Sequence, residues 1–119
     1  MITALHHVQL TAPAGSEDQL RWFYGDVLGM SEVAKPAALA GRGGAWFRCG
    51  SVELHLGVEE DFRPALKAHP GLVVENLDSF VARLTQHGVG VDWDENFPGF
   101  RRCYVSDPHG NRIELLEPL

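Results

Sequence analysis

The sequence predicts an α+β fold in which two βαβββ modules form a curved mixed sheet around a concave cavity, with the helices on the convex face. Three observations predict this fold. The chain contains two amphipathic helical segments, and each stops at a glycine. A short strand carrying a histidine precedes each segment, and three short strand-like runs follow each one. The order strand, helix and three strands therefore occurs twice in 119 residues.

The first module is predicted over about residues 1–57. Its first strand is expected from Leu5 to Thr11. Ser16 followed by Gln19 has the form of a capping box, so a helix is expected to begin there and to end at Gly29. The three strands that follow are expected at Ser31–Val33, Ala45–Cys49 and Ser51–Leu56.

The second module is predicted over residues 69–119, after an acidic, proline-containing linker at about 58–68. Its first strand is expected from His69 to Val74. Apolar residues spaced i, i+3, i+4 and i+7 from Leu77 predict a helix that Asn76 caps and Gly88 ends. The whole chain, 1–119, is expected to form a single domain. The remaining strands are expected at Val89–Asp92, Arg102–Ser106 and Arg112–Leu116.

Composition restricts the partners of this chain. The formal net charge is −6 and there is no long run of like charges, so nucleic acid and anionic membranes are poor partners. No apolar run reaches the roughly 20 residues that cross a bilayer, and the first residues lack the pattern of an export signal. We expect a cytoplasmic protein. Cys49 and Cys103 lack CxxC spacing, and both are expected to be reduced, buried thiols.

The two modules repeat the positions of a histidine and a glutamate. His7 precedes Glu53 by 46 positions, and His69 precedes Glu114 by 45. Each glutamate lies between two aliphatic residues. Because alternate side chains of a strand share a face, the aliphatic residues are expected to pack under the helices. The histidines and glutamates are then expected on the opposite, concave face.

Two imidazoles and two carboxylates on one face form a neutral ligand set for a divalent cation. A lone buried carboxylate is strongly destabilising, and a metal ion bound by His7, Glu53, His69 and Glu114 would remove that cost. The alternative is a set of polar residues that line a pocket and hydrogen bond to one another and to water. His55 shares the face of Glu53, and it could replace Glu53 as a ligand or contact a substrate.

Further polar and aromatic side chains are candidates for substrate contacts. Gln9 is expected on the face of His7, and Arg102 and Tyr104 are expected to share a face with one another. An arginine near a metal would suit an anionic group on the substrate. Trp46 could stack on a flat ligand or belong to the core.

Three motifs carry a resemblance to a known family, and the last two are specific together. They are LHHVQL at the start of the first strand, FYGDVLGM at the end of the first helix, and DPHGNRIE before the end of the chain. Over essentially its whole length the chain resembles the vicinal oxygen chelate superfamily, which includes glyoxalase I, bleomycin-resistance proteins, fosfomycin-resistance enzymes and extradiol dioxygenases. The motifs identify the superfamily and not the substrate.

The resemblance implies a metal-dependent lyase or isomerase of the glyoxalase type that forms a homodimer and acts on a small molecule. The ligand positions of glyoxalase I would fall on His7, Glu53, His69 and Glu114. The divalent ion (Ni, Zn, Mn, Co or Fe) would bind two neighbouring oxygens of the substrate, and Glu114 or Glu53 would move a proton. The modules could pair within one chain or between two.

The resemblance also implies a second function, which is binding and sequestration of an antibiotic or another small molecule without catalysis. Bleomycin-resistance relatives of this kind lack the metal ligands, so the four-residue set counts against it. An extradiol dioxygenase with iron held by His7, His69 and Glu114 is less favoured. Its open coordination position would be crowded by a fourth acidic group, and such enzymes resemble longer chains.

Overall fold

The computed structural model describes all 119 residues, which divide into two compact units, Met1–Pro64 and Ala65–Leu119. Each unit contains a four-stranded mixed sheet and one principal helical segment. The predicted α+β class, with the order strand, helix and three strands in each half, is confirmed. No helix in the chain is both long enough and apolar enough to cross a membrane.

The first unit contains strands β1 to β4. The elements are β1 at Val8–Ala12, helix α1 at Glu17–Leu20, a π-helical continuation at Arg21–Val27, β2 at Ser31–Val33, a 3₁₀-helix at Ala37–Arg42, β3 at Ala45–Cys49 and β4 at Val52–Val58. The sheet order is β1-β4-β3-β2. β1 is parallel to β4, and the other neighbours are antiparallel. β4 is therefore an interior strand with partners on both sides.

The second unit repeats this topology with strands β5 to β8. The elements are β5 at Gly71–Val73, helix α2 at Leu77–Gln86, β6 at Asp92–Asp94, β7 at Phe100–Ser106 and β8 at Arg112–Pro118. The sheet order is β5-β8-β7-β6, with β5 parallel to β8. β8 thus takes the interior place that β4 has in the first unit.

One face of each sheet is covered by the unit's own helix. In the first unit the Tyr24 ring stacks on Phe47 of β3, with 5.5 Å between the ring centroids, and both are fully buried. Leu54 of β4 is buried on the same face. In the second unit α2 packs on β8, where Ile113 and Leu115 are fully buried. The aliphatic residues therefore occupy the helix-covered faces, as the alternation predicts.

The start of the first helix differs from the prediction. Ser16 makes no capping hydrogen bond, so the predicted capping box is wrong. Its hydroxyl donates instead to the carbonyl oxygen of Pro13, at 2.6 Å. The helix then widens, because the Leu28 N–H bonds to the carbonyl five residues earlier, at Phe23. It ends as predicted at Gly29, whose φ is 80°.

The second helix follows the prediction closely. Asn76 Oδ1 accepts a hydrogen bond from the Ser79 N–H at 3.0 Å, which is a standard N-cap. Gly88 follows the helix with a φ of 76°. The predicted strand from Val89 is displaced to Asp92–Asp94, because the Val89 N–H is already bonded to the Leu84 carbonyl at the helix end.

The first strand of each unit is shorter than predicted. β1 begins at Val8 and β5 at Gly71, so His7 and His69 lie in the segments just before these strands. The two cysteines are free, as expected, but they differ in exposure. Cys49 is exposed, which corrects the expectation that it is buried. Cys103 is buried, and burial raises the pKa of its thiol to about 11.

Replacement of Gly44 by alanine is expected to destabilise the protein strongly. Gly44 has a φ of 79°, and an added Cβ would lie 1.9 Å from the Leu56 carbonyl oxygen, so the loop would have to move away from β4. Gly50 has a φ of 58° with open space around it. Gly50→Ala is therefore expected to cost only about 1 kcal/mol, for the left-handed backbone alone. Urea unfolding measures both costs, and equal losses would contradict the close approach of this loop to β4.

Candidate functional site

Glu53 of β4 is held between an imidazole and a guanidinium group. Its Oε2 lies 2.9 Å from His55 Nε2, and its Oε1 accepts a hydrogen bond from Arg48 Nε at 2.8 Å. Arg48 is directly opposite Glu53 on β3. The hydrogen bonds from His55 and then Arg48 lower the pKa of the Glu53 carboxyl. Glu53 is therefore an anion at neutral pH.

Three rings stack beside Glu53. The His55 ring stacks on the Trp46 ring, with 3.8 Å between their centroids. It also stacks on the His7 ring, with 4.0 Å between centroids. His55 is buried inside this stack, with 3% of its surface exposed. The pKa of His7 is lowered, mainly because the ring is partly desolvated and to a smaller extent because the His55 and His6 rings are close. His7 is thus neutral at neutral pH, which is the form in which histidine binds metals.

Glu114 of β8 has the same two kinds of partner. Its Oε1 lies 2.8 Å from His69 Nε2, and its Oε2 accepts a hydrogen bond from Arg102 Nη1 at 3.0 Å. Arg102 Nε also donates to Asp94 Oδ2 of β6 at 2.6 Å. This bond to Arg102 lowers the pKa of Asp94. One guanidinium group therefore joins carboxylates from two strands.

Both nitrogens of His69 face oxygen acceptors. Nδ1 lies 2.8 Å from the Lys67 carbonyl oxygen, and Nε2 lies 2.8 Å from Glu114 Oε1. A neutral imidazole carries one N–H and satisfies only one of these contacts. Whichever nitrogen carries the N–H, the other nitrogen faces an oxygen acceptor and is available to a cation. A histidine that donates Nδ1–H to a carbonyl and points Nε2 at a carboxylate has the arrangement of a metal ligand.

The two units use the same residue types in exchanged positions. In the first unit Arg48 is opposite Glu53, and Trp46 is opposite His55. In the second unit the aromatic Tyr104 is opposite Glu114, and Arg102 is opposite Leu116. Each glutamate therefore has an arginine and an aromatic residue beside it on the neighbouring strand.

The strand registers of the two units are not equal. Val8 is opposite Leu54, a separation of 46 positions, and Gly71 is opposite Glu114, a separation of 43. The spacings of 46 and 45 in the sequence therefore do not reflect one register. His69 precedes Gly71 by two residues and reaches Glu114 diagonally, which a difference of two allows on the same face.

The predicted substrate contacts lie beside these groups. Arg102 and Tyr104 share the face of Glu114, and the Arg112 guanidinium lies 3.7 Å from the centre of the Tyr104 ring. Gln9 extends over Gly57 on the neighbouring strand, where an added Cβ would lie 2.8 Å from its Nε2. The predicted site residues of the first unit, including Trp46 and His55, are likewise neighbours of one another.

The structure contains no group of three or more His, Cys, Asp or Glu side chains placed to hold a metal ion. The predicted ligands fall into a set with His7 and Glu53 in the first unit and a pair of His69 with Glu114 in the second. The four-ligand site stays a prediction. Arg48 and Asp94 also belong to these clusters and are not among the predicted residues, although the two-residue alternation of β3 places Arg48 on the face of Trp46.

Comparison with known proteins identifies the superfamily. The family model described as the Glyoxalase/Bleomycin resistance protein/Dioxygenase superfamily matches residues 4–115, which confirms the resemblance. No curated protein sequence is similar enough to the chain to be called a relative.

Solved structures of the same fold include three whose names state a family or a function. A glyoxalase family protein from Bacillus anthracis is 47% identical with a TM-score of 0.98, over 100% of this chain and 98% of that one. TnmS3, an antibiotic-binding protein from Streptomyces sp. CB03234, is 25% identical with a TM-score of 0.76, over 100% of both chains. A lactoylglutathione lyase from Agrobacterium tumefaciens shares the fold at 21% identity, with a TM-score of 0.76, over 98% of this chain and 94% of that one.

 At this level of identity the likeness to the lyase shows the fold alone.

Arg102→Gln is expected to lower the stability of the protein more than Arg48→Gln does. The Arg102 side chain is 17% exposed and contacts two carboxylates, whereas the Arg48 side chain is 55% exposed and contacts one. Removal of Arg102 leaves Glu114 and Asp94 without their guanidinium in a shielded place, while an exposed ion pair contributes little. Thermal unfolding at pH 7 measures the two losses.

The same pair of variants has an expected pH dependence. Because the pKa of Asp94 is lowered in the folded protein, the stabilisation by Arg102 is present above the usual value of 3.8 and is lost as the pH falls through the folded value. The difference between Arg102→Gln and the parent protein should therefore shrink in acid. A loss for Arg48→Gln as large as that for Arg102→Gln would contradict the ranking.

Proposed function

We propose that this chain, which belongs to the Glyoxalase/Bleomycin resistance protein/Dioxygenase superfamily, is a metal-dependent lyase or isomerase of the glyoxalase type. One divalent cation would be bound by an imidazole and a carboxylate from each unit, namely His7, Glu53, His69 and Glu114. The units would come from one chain or from two chains of a homodimer. The substrate would be a small molecule with two neighbouring oxygens.

The observation that carries the proposal is the division of each carboxylate between two partners. Glu114 directs one oxygen to His69 Nε2 and the other to Arg102, and Glu53 divides its oxygens between His55 and Arg48 in the same way. The arginine occupies one oxygen and fixes the carboxylate plane. The other oxygen stays beside an imidazole nitrogen, where a cation would find two ligands.

The donor set fits a divalent ion. Imidazole nitrogens and carboxylate oxygens suit Ni, Zn, Mn, Co and Fe, and two carboxylates balance the charge of the ion. When bound, such an ion polarises the substrate oxygens and stabilises the negative charge that develops on them during proton transfer. His55 is the alternative to Glu53 as a ligand, because its Nε2 and Glu53 Oε2 lie together.

The side chains around the glutamates have separate roles in this proposal. Glu114 or Glu53 moves the proton, as a carboxylate within reach of the substrate carbon. Arg102 and Arg48 hold these carboxylates in fixed orientations through hydrogen bonds. Tyr104 lies beside Glu114 on the next strand, where it would contact the substrate.

A second candidate function is binding without catalysis, and one observation favours it. Arg48 and Arg102 already neutralise the two glutamates, so the sheet faces are stable without an ion. TnmS3, a solved structure that this chain matches over 100% of both chains at 25% identity, is an antibiotic-binding protein. In this function the same polar face would line a pocket for a small molecule.

Metal titration of EDTA-treated protein tests the proposed function. Calorimetric titration with Ni²⁺, Co²⁺, Mn²⁺ or Zn²⁺ is expected to show one ion for each set of four ligands. His69→Ala and Glu114→Gln are each expected to weaken binding by at least about a hundredfold, since even partners of metal ligands contribute factors of about 10 to 100.

His87→Gln is the matched control for this titration. His87 ends α2 and bonds through Nδ1 to the Arg83 carbonyl, outside the proposed site, so its loss should leave metal affinity unchanged. Failure of all four metals to bind would exclude the proposed function. A thermal shift caused by a small molecule that persists in EDTA, and in the His69→Ala variant, would favour binding without catalysis.

A further inference from the structure

The first unit contains a cavity of about 230 Å³ whose lining includes Gln9 and Trp46, two of the predicted substrate contacts, and none of the proposed metal ligands. Its lining combines one aromatic ring, aliphatic walls and two cationic side chains. Trp46 supplies the ring, and Leu39 and Val58 supply aliphatic walls. Lys35 and Arg42 supply the charges, and no Asp or Glu lines the cavity.

The charge of the cavity is opposite to that of the chain. The formal net charge of the protein is −6, yet the lining carries two positive groups and no negative one. Arg42 forms no ion pair with a carboxylate, and Lys35 Nζ donates a hydrogen bond to the Gly43 carbonyl. Their charges are therefore available to a ligand. An anion is the ligand that this lining favours.

The cationic side chains are positioned by a short segment of fixed shape. The 3₁₀-helix Ala37–Arg42 begins directly after Pro36, so Lys35 precedes it and Arg42 ends it. The bond from Lys35 to Gly43 ties these two ends together. The loop that follows is held against β4, since Gly44 has no room for a Cβ beside Leu56. The backbone positions that carry the two cationic side chains are therefore fixed relative to one another.

The aromatic wall is equally rigid. One face of the Trp46 ring lies on His55, with 3.8 Å between centroids and planes 2° apart. Gln9 also lines the cavity, and it lies across Gly57 in place of the side chain that this glycine lacks. Ring, amide and cations together form a site with a flat apolar surface and a charged end.

We propose that this cavity binds a small planar organic anion, an aromatic carboxylate with a single ring. The ring would pack against Trp46 and Leu39, and the carboxylate would accept hydrogen bonds from Arg42 and Lys35. A volume of about 230 Å³ is below the roughly 300–1,000 Å³ of sites for drug-sized ligands, which restricts the occupant to one ring. The site needs no metal ion and goes beyond the proposed function.

Three probes of similar size separate the contributions of ring and charge. Benzoate has both, benzamide keeps the ring without the charge, and cyclohexanecarboxylate keeps the charge without the flat ring. Titrations in EDTA are followed by the indole N–H signals of the three tryptophans in a ¹H–¹⁵N spectrum. Benzoate is expected to move the Trp46 signal and to bind roughly tenfold or more tightly than either analogue. Trp22 and Trp93, which do not line the cavity, are internal controls.

Two variants of equal charge assign the anion contact. Arg42→Gln is expected to weaken benzoate binding by about tenfold or more, and Arg63→Gln, an exposed residue outside the cavity, should leave it unchanged. Arg42→Lys should restore part of the affinity. Lys35→Gln provides a second variant if Arg42→Gln is poorly folded.

Three results would overturn the proposal. They are a Trp46 signal that no probe moves, benzamide binding as tightly as benzoate, and equal effects of Arg42→Gln and Arg63→Gln. Because the titrations are done in EDTA, a chain that binds no metal still gives a clear result here. Failure of this proposal and failure of the proposed function are therefore distinguishable.

Discussion

The charge of a carboxylate on an interior strand has to be balanced by side chains on the same face of the sheet. This requirement determines which residues surround Glu53 and Glu114. Glu53 and Glu114 lie on β4 and β8, each with strands on both sides. Neither side chain can extend far into solvent, since they are 9% and 8% exposed. Each therefore needs positive partners within the same face. The arginine beside each glutamate is that positive partner, and an imidazole nitrogen lies within hydrogen-bond distance of the other carboxylate oxygen.

Much of the fold follows from local sequence signals. The strands β2 and β3 and the capped helix α2 have the predicted bounds, because turn glycines, Asn76 and a clear helical period specify them locally. The faces of β4 and β8 also follow from alternation alone. Such features depend on residues that are close together in the chain.

The errors come from contacts between distant segments. Ser16 has the sequence of a cap, but its hydroxyl is bonded to Pro13. The start of β6 depends on pairing with β7, which Val89 cannot join because the helix end holds it. Likewise, the exchange of places between Arg48 and Arg102 is set by strand register. A single sequence does not give that register.

The structure explains why metal binding and simple ligand binding are both compatible with this superfamily fold. The arginines make the glutamates stable without an ion, while His69 keeps a nitrogen directed at a carboxylate oxygen that only a proton or a cation can bridge. The distinction between the two functions therefore depends on what lies between His69 Nε2 and Glu114 Oε1. This small gap is the central feature of the proposed site.

Anomalous diffraction from crystals grown with Ni²⁺ examines that gap directly. We expect a peak at about 2.1 Å from His69 Nε2 and Glu114 Oε1, with an imidazole and a carboxylate of a first unit completing the coordination. An absence of anomalous signal at this position, with the His69–Glu114 hydrogen bond intact, would contradict the metal site.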